Sequence, residues 1–145
     1  MMLNKISIFL FFSILSCKSP NKPRYDNEKL LFDYLKTIQK LKIMPNKTYN
    51  IAIIQIGICG ACTEFNKTKI KDYFSQLDNM SLKILILSDE NKELEQYFLN
   101  FFSNNLILYK DNGINISRYG LRYSKDLLIK IKNESVSEFI FLEGK

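Results

Sequence analysis

Apolar residues recur in two rhythms along this chain, and the alternation of those rhythms outlines an architecture. Ile51 to Ile58 and Leu82 to Leu87 are nearly continuous apolar runs, the pattern of strands buried on both faces of a parallel sheet. Between them Phe65, Ile70, Tyr73, Phe74 and Leu77 recur at helical spacing. Thr63 to Leu77 therefore reads as an amphipathic helix, and the three segments together as a βαβ unit. A second amphipathic helix follows, opened by Asp89 and packing Leu94, Tyr97, Phe98, Phe101 and Phe102, and then a short strand at Leu106 to Tyr109.

The flanks complete the pattern. Upstream, Leu30, Leu31, Tyr34, Leu35, Ile38 and Leu41 share one helical face, with Asp26 or Asn27 as N-cap and Pro45 and Asn46 closing the segment. Lys36, Lys40 and Lys42 point away from that face or lie toward its C-terminal end, where cations are favoured. Downstream, Leu127 to Lys132 and Glu138 to Leu142 read as two strands separated by Asn133-Glu134-Ser135, a spacing that fits an antiparallel hairpin. The fold class is α/β: a mixed sheet with a central parallel βαβ unit and a C-terminal antiparallel hairpin, flanked by helices.

The N-terminus carries a different signal. Lys5 precedes an apolar run from Ile6 to Leu15, broken only by Ser7 and Ser13. At 1.5 Å per residue such a run spans roughly 15 Å as a helix, about half the hydrocarbon thickness of a bilayer, which fits an export signal better than a membrane span. It ends in Ile14-Leu15-Ser16-Cys17, which resembles the bacterial lipobox, where the cysteine is lipidated and becomes the new N-terminus. The organisation expected is a lipoprotein signal peptide over 1–16, a Pro-containing tether over 17–25 and one domain over 26–145. Cleavage before Cys17 leaves 129 residues, enough for a single core.

Charge excludes one class of partner. The formal net charge is +6, and it becomes +5 when Lys5 is removed with the signal. Basic residues are spread among Asp and Glu with no concentrated basic face and no reader motif, so a nucleic-acid partner is not expected.

The candidate chemistry lies in Cys59-Gly60-Ala61-Cys62, where the apolar strand runs into the amphipathic helix. The chain has three cysteines and no histidine, and Cys17 belongs to the N-terminal signal, so Cys59 and Cys62 have only each other as partners. A thiol at a helix start sits among unpaired backbone N–H groups and the positive end of the helix dipole, which stabilise its thiolate. Cys59 is accordingly the expected nucleophile. Cys62, three residues on, faces the same side and can resolve a mixed disulfide formed on Cys59. A purely structural disulfide explains the position poorly, because closing a four-residue loop stabilises by only about 2 kcal/mol. Metal binding fails on ligand count: about four donors are needed, and two thiols without imidazole are present. Two unrelated core cysteines fit the strand-to-helix context least.

From Tyr49 to the C-terminus, the order strand, Cys-x-x-Cys, helix, strand, helix, strand, hairpin resembles the thioredoxin fold. With its lipobox-like segment the whole chain is similar to lipid-anchored thiol–disulfide oxidoreductases of the bacterial envelope. Tyr119-Gly120-Leu121-Arg122 resembles the segment that precedes the family's cis-proline, and Ile131-Lys132-Asn133 the one before its last hairpin turn. The chain departs from that family at three places. The cis-proline position falls at Lys125 or Asp126, the aromatic residue before the first cysteine is Ile58, and the buried carboxylate six residues upstream of that cysteine is Ile53. Without that carboxylate a proton acceptor for Cys62 has to come from elsewhere, and Glu64, Gln55, Lys125 and Asp126 are the candidates.

The resemblance implies a redox-active Cys59–Cys62 couple that needs no cofactor and no metal. It implies an extracytoplasmic protein lipid-anchored through Cys17, acting on disulfide-bearing envelope proteins or a small disulfide, with a membrane electron donor as a further partner. Gly60 and Ala61 supply no cation to over-stabilise the thiolate, which favours a reductant. The competing reading is a non-catalytic binding or scaffold lipoprotein of the same fold with a vestigial Cys-x-x-Cys.

Overall fold

The computed structural model describes residues 26–55, 60–88, 90–102, 105–123 and 125–142, with the side chains of 60–63 outside the description. The expectations for residues 1–25, for Cys59 and for Asp89 fall outside those residues. Helix α1 (Glu28–Thr37) is followed by strand β1 (Thr48–Ile54), helix α2 (Gly60–Ser75), strand β2 (Leu82–Leu87), helix α3 (Lys92–Phe102) and strand β3 (Leu106–Lys110). A short helix α4 (Ile114–Arg118) then leads to strands β4 (Asp126–Lys132) and β5 (Ser135–Leu142).

The five strands form one sheet in the order β3-β2-β1-β4-β5. β1 pairs parallel with β2, and β2 parallel with β3, while β4 runs antiparallel to β1 and β5 antiparallel to β4. This is the thioredoxin-like mixed sheet that the sequence led us to expect. Alternation along the central strands explains why they read as unbroken apolar runs. Ile51 and Ile53 with Ile84 and Ile86 join the core beneath α1 and α4, whereas Ala52 and Ile54 with Leu85 and Leu87 join the core beneath α2 and α3.

Element boundaries differ from the sequence reading where local chemistry intervenes. α1 stops at Thr37 instead of carrying Leu41, because Lys40 takes a left-handed φ of 55° and the Leu41 amide folds back onto the Leu35 carbonyl at 2.9 Å. The Asn27 side chain leaves its own helix uncapped and donates instead to the Tyr123 hydroxyl at 2.8 Å. α2 begins three residues earlier than the apolar spacing indicated, at Gly60, since first-turn residues need no buried face to be helical. α3 is capped by Asn91, whose Oδ1 accepts from the Leu94 amide at 2.9 Å. The hairpin turn is two residues instead of three. Asn133 and Glu134 both have positive φ, 53° and 58°, the type I′ geometry whose twist matches the flanking strands. α4 escaped the sequence reading because five residues are too few for a periodicity to show.

One buried polar network ties α1 to the loop before α4. Gln39 Nε2 donates to the Tyr34 hydroxyl at 2.7 Å, which donates to Asp111 Oδ2 at 3.1 Å. Burial raises the phenol's pKa well above its ordinary value, so Tyr34 stays a donor. In the same loop Gly113 has φ +73°, and a Cβ there would lie 3.2 Å from the Ser88 carbonyl oxygen. Gly113→Ala is therefore expected to lower unfolding free energy by about 1–2 kcal/mol at an unchanged denaturant m-value. Urea titration checks this, and wild-type stability in the variant would show that the loop relaxes without cost.

Candidate functional site

Antiparallel pairing places the beginning of β4 beside the end of β1, since Leu127 lies opposite Ile53. Asp126, the first residue of β4, is thereby brought next to Gln55, the residue after β1, at the C-terminal edge of the parallel strands. In open α/β sheets that edge is where binding and chemistry concentrate. α2 leaves the same edge and crosses back over the sheet, carrying Asn66 down onto Asp126.

Gln55, Asn66 and Asp126 make a buried polar cluster, which Gln55 enters through its backbone. The Gln55 backbone N–H donates to Asp126 Oδ1 at 2.7 Å, and Asn66 Nδ2 donates to Asp126 Oδ2 at 2.8 Å. All three residues are buried, with Asp126 at 6 % exposure and Asn66 at 3 %. Among the described residues no ammonium or guanidinium pairs with Asp126. Burial pushes its carboxyl up from the ordinary carboxylate range, and the two N–H donors hold it back only in part. The same burial makes Asp126 a better proton acceptor than an exposed aspartate.

The Gln55 side chain has a second task. Its Oε1 accepts from the Tyr123 amide at 2.9 Å and its Nε2 donates to the Lys125 carbonyl at 3.1 Å. One amide thus staples both ends of the 123–125 loop to the end of β1. This chain has no proline at the loop position where its family resemblance calls for one, and the Gln55 staple fixes that backbone from outside.

The residues singled out from the sequence separate clearly. Cys62 is the third residue of α2, and its side chain lies outside the description, as does Cys59 entirely. Asn66 follows Cys62 by four positions in sequence, and Asn66, Ile70 and Phe74, spaced in the same step, are all buried. Gln55 and Asp126 are brought together. Glu64 is exposed and bound to Lys67 at 2.6 Å, and Lys125 is exposed and meets Gln55 through its carbonyl. Asn66 was not anticipated. Its signal was present in the sequence as a polar residue at a position where the stripe through Ile70 and Phe74 calls for an apolar one.

One atom of the cluster is left over. Asn66 Oδ1 is buried and has no hydrogen-bond partner, a situation that costs about 1–3 kcal/mol for an amide acceptor. The amide orientation is nonetheless the one an ionised carboxylate demands, because turning it over would set Oδ1 against Asp126 Oδ2.

No protein-family model matches the chain, and no curated protein matches it. Three solved structures are similar. A secreted disulfide oxidoreductase of Mycobacterium tuberculosis, homologous to E. coli DsbE, aligns over 66 % of this chain and 69 % of its own at 10 % identity, TM-score 0.48. A thioredoxin-like protein of Bacteroides caccae aligns over 69 % of this chain and 37 % of its own at 23 % identity, TM-score 0.44. The thioredoxin domain of a Bacteroides vulgatus thiol–disulfide oxidoreductase aligns over 68 % and 73 % at 12 % identity, TM-score 0.43.

Proposed function

We propose that this protein is a thiol–disulfide oxidoreductase of the bacterial envelope, held to a membrane through a lipidated Cys17, which reduces disulfides of envelope proteins or small disulfides through Cys59 and Cys62. The observation that carries this reading is the buried carboxyl of Asp126, which has no charged partner among the described residues and is bonded to Asn66 of α2, the helix whose third residue is Cys62. A dithiol has a use for such a group, because the resolving thiol must lose a proton before it can attack.

In the forward direction the Cys59 thiolate attacks one sulfur of the partner's disulfide. A Cys59–partner bond forms, and the partner's other sulfur leaves as a thiolate that takes a proton from solvent. Asp126 accepts the proton of the Cys62 thiol, and the Cys62 thiolate attacks Cys59. The Cys59–Cys62 disulfide closes and the second partner sulfur departs as a thiolate. The partner has gained two electrons and the protein's dithiol has lost them, so a membrane electron donor of the dithiol class restores the reduced state. Export to an oxidising compartment makes that donor necessary, and a tether at the bilayer keeps the domain within its reach.

Cys62→Ser is expected to accumulate mixed disulfides with partner proteins that Cys59→Ser does not form, as read by non-reducing electrophoresis of cell extracts. A Cys62→Ser protein that traps nothing, together with a reduction potential too negative for exchange, would leave a binding module. Intact mass of the membrane-extracted protein should show residues 1–16 removed and Cys17 acylated. Asp126→Ala is expected to slow release of a preformed mixed disulfide by about 10²-fold, the usual scale of general-base catalysis.

Asp126 also links the proposed chemistry to stability. Its carboxyl titrates higher in the folded protein than in the unfolded chain, where the ordinary value is about 3.9. Between the two values the native state holds more protons, so this group's contribution is full below the unfolded value and is lost as pH rises through the folded one. Asp126→Asn carries no such loss. Urea titrations from pH 4 to pH 8 should show the variant gaining on the wild type as pH rises and then levelling, whereas a difference independent of pH would mean that the carboxyl titrates normally.

A further inference from the structure

The orphaned acceptor on Asn66 has a use that becomes apparent when Asp126 is protonated. With the carboxyl ionised, Nδ2 donates to Asp126 Oδ2 and Oδ1 faces no donor. A proton arriving on Oδ2 removes that oxygen's need for a donor and creates an O–H that needs an acceptor. The only group already at hydrogen-bond distance from Oδ2 among the described residues is the Asn66 amide, and a half-turn about its terminal bond exchanges Nδ2 for Oδ1. Gln55 cannot perform this role, because its contact with Asp126 is a backbone N–H on the other carboxyl oxygen and its side-chain amide is occupied at both ends by the 123–125 loop.

We propose that Asn66 is a positioning residue that works as an amide switch: it donates through Nδ2 to ionised Asp126 and turns over to accept through Oδ1 from the protonated acid, giving each protonation state of the carboxyl a bound partner. The switch stands on the described geometry. Its part in thiol chemistry rests on the function proposed above, in which Asp126 receives the Cys62 proton. No atom is gained or lost in the turn, and the proton passes from the thiol sulfur to Asp126 Oδ2 and stays there until solvent recovers it.

The charged groups on the surrounding elements leave the cluster to itself. On α2, Glu64 is bound to Lys67. On α3, Glu95 is bound to Lys110 of β3. Lys125 is exposed at the start of β4, and Lys130 and Glu138 lie opposite each other one turn of the hairpin ladder away from Asp126, beyond the Leu128–Ile140 pair. Leu142 stands directly across from Asp126. Among the described residues Asp126 is thus bonded by amides and forms no ion pair.

Side-chain amide NMR of the full-length protein, produced without its acyl group, tests the switch directly. Across a titration from pH 4 to pH 9 the Asn66 NH2 pair is expected to pass between two sets of shifts and neighbour NOEs at the same midpoint as the Asp126 carboxyl carbon. Asp126→Asn places a permanent donor opposite Oδ1, so in that variant the Asn66 pair should show the low-pH set at every pH. An Asn66 pair unmoved while the carboxyl titrates, or an Asp126→Asn variant that shows the high-pH set, would overturn the proposal. In kinetics, Asn66→Leu is expected to slow mixed-disulfide release about 10-fold and alter its pH profile. Asn66→Thr, whose hydroxyl donates and accepts, should restore both; equal profiles for the Leu and Thr variants would also count against the switch. The NMR result does not depend on turnover, so a failure of the redox reading and a failure of the switch are told apart.

Discussion

The antiparallel seating of β4 on β1 is the constraint from which the rest of this molecule follows. It converts a parallel βαβ unit into a mixed sheet, and it does so in one register, because a slip by a single residue would turn every side chain of β4 to the wrong face. In the observed register Ile129 and Ile131 reach the α1 side, and Leu128 reaches the α2 side with Asp126 two residues before it. The position of the buried carboxyl is thus fixed by the same hydrophobic alternation that fills both cores.

Much of this architecture was legible in the sequence because burial on both faces leaves a strong mark. Leu82 to Leu87 appears with the bounds the apolar run gave it, and the mixed topology follows from two continuous strands and a terminal hairpin. What stayed hidden was local. Lys40 ends α1 by taking a left-handed conformation that lysine does not advertise, and Glu134 completes a type I′ turn at a position where glycine is the usual signal. The site was half legible. Gln55, inside the predicted strand Ile51 to Ile58, and Asp126, just before the predicted strand at Leu127, could be picked out as polar residues, but their pairing depends on register, which no single sequence segment carries. Asn66 was readable in principle, as a polar residue in step with Ile70 and Phe74 on the helix.

Rigidity around the cluster comes from polar contacts between elements remote in sequence. Asn27 at the start of α1 reaches Tyr123, whose ring packs at 5.1 Å against Phe141 of β5, and Gln55 holds the backbone on either side of the same loop. The 123–125 segment is therefore gripped by α1, β1 and β5 at once.

The register shift in the last ladder has a consequence for the protein's behaviour among its own kind. β5 is a free edge with Ile140 and Phe141 exposed, a combination that invites strand-to-strand association between molecules. Lys130 and Ile131 pair with Glu138 and Val136, which leaves Ser137 as an extra residue whose hydroxyl donates to the Lys130 carbonyl at 3.1 Å. One step further on, the Val136 amide is already taken by the Glu28 carboxylate at 2.8 Å. An incoming strand would meet an edge interrupted at Ser137 and occupied at Val136. Among the described residues the irregularity in the hairpin thus works against strand addition along an apolar edge.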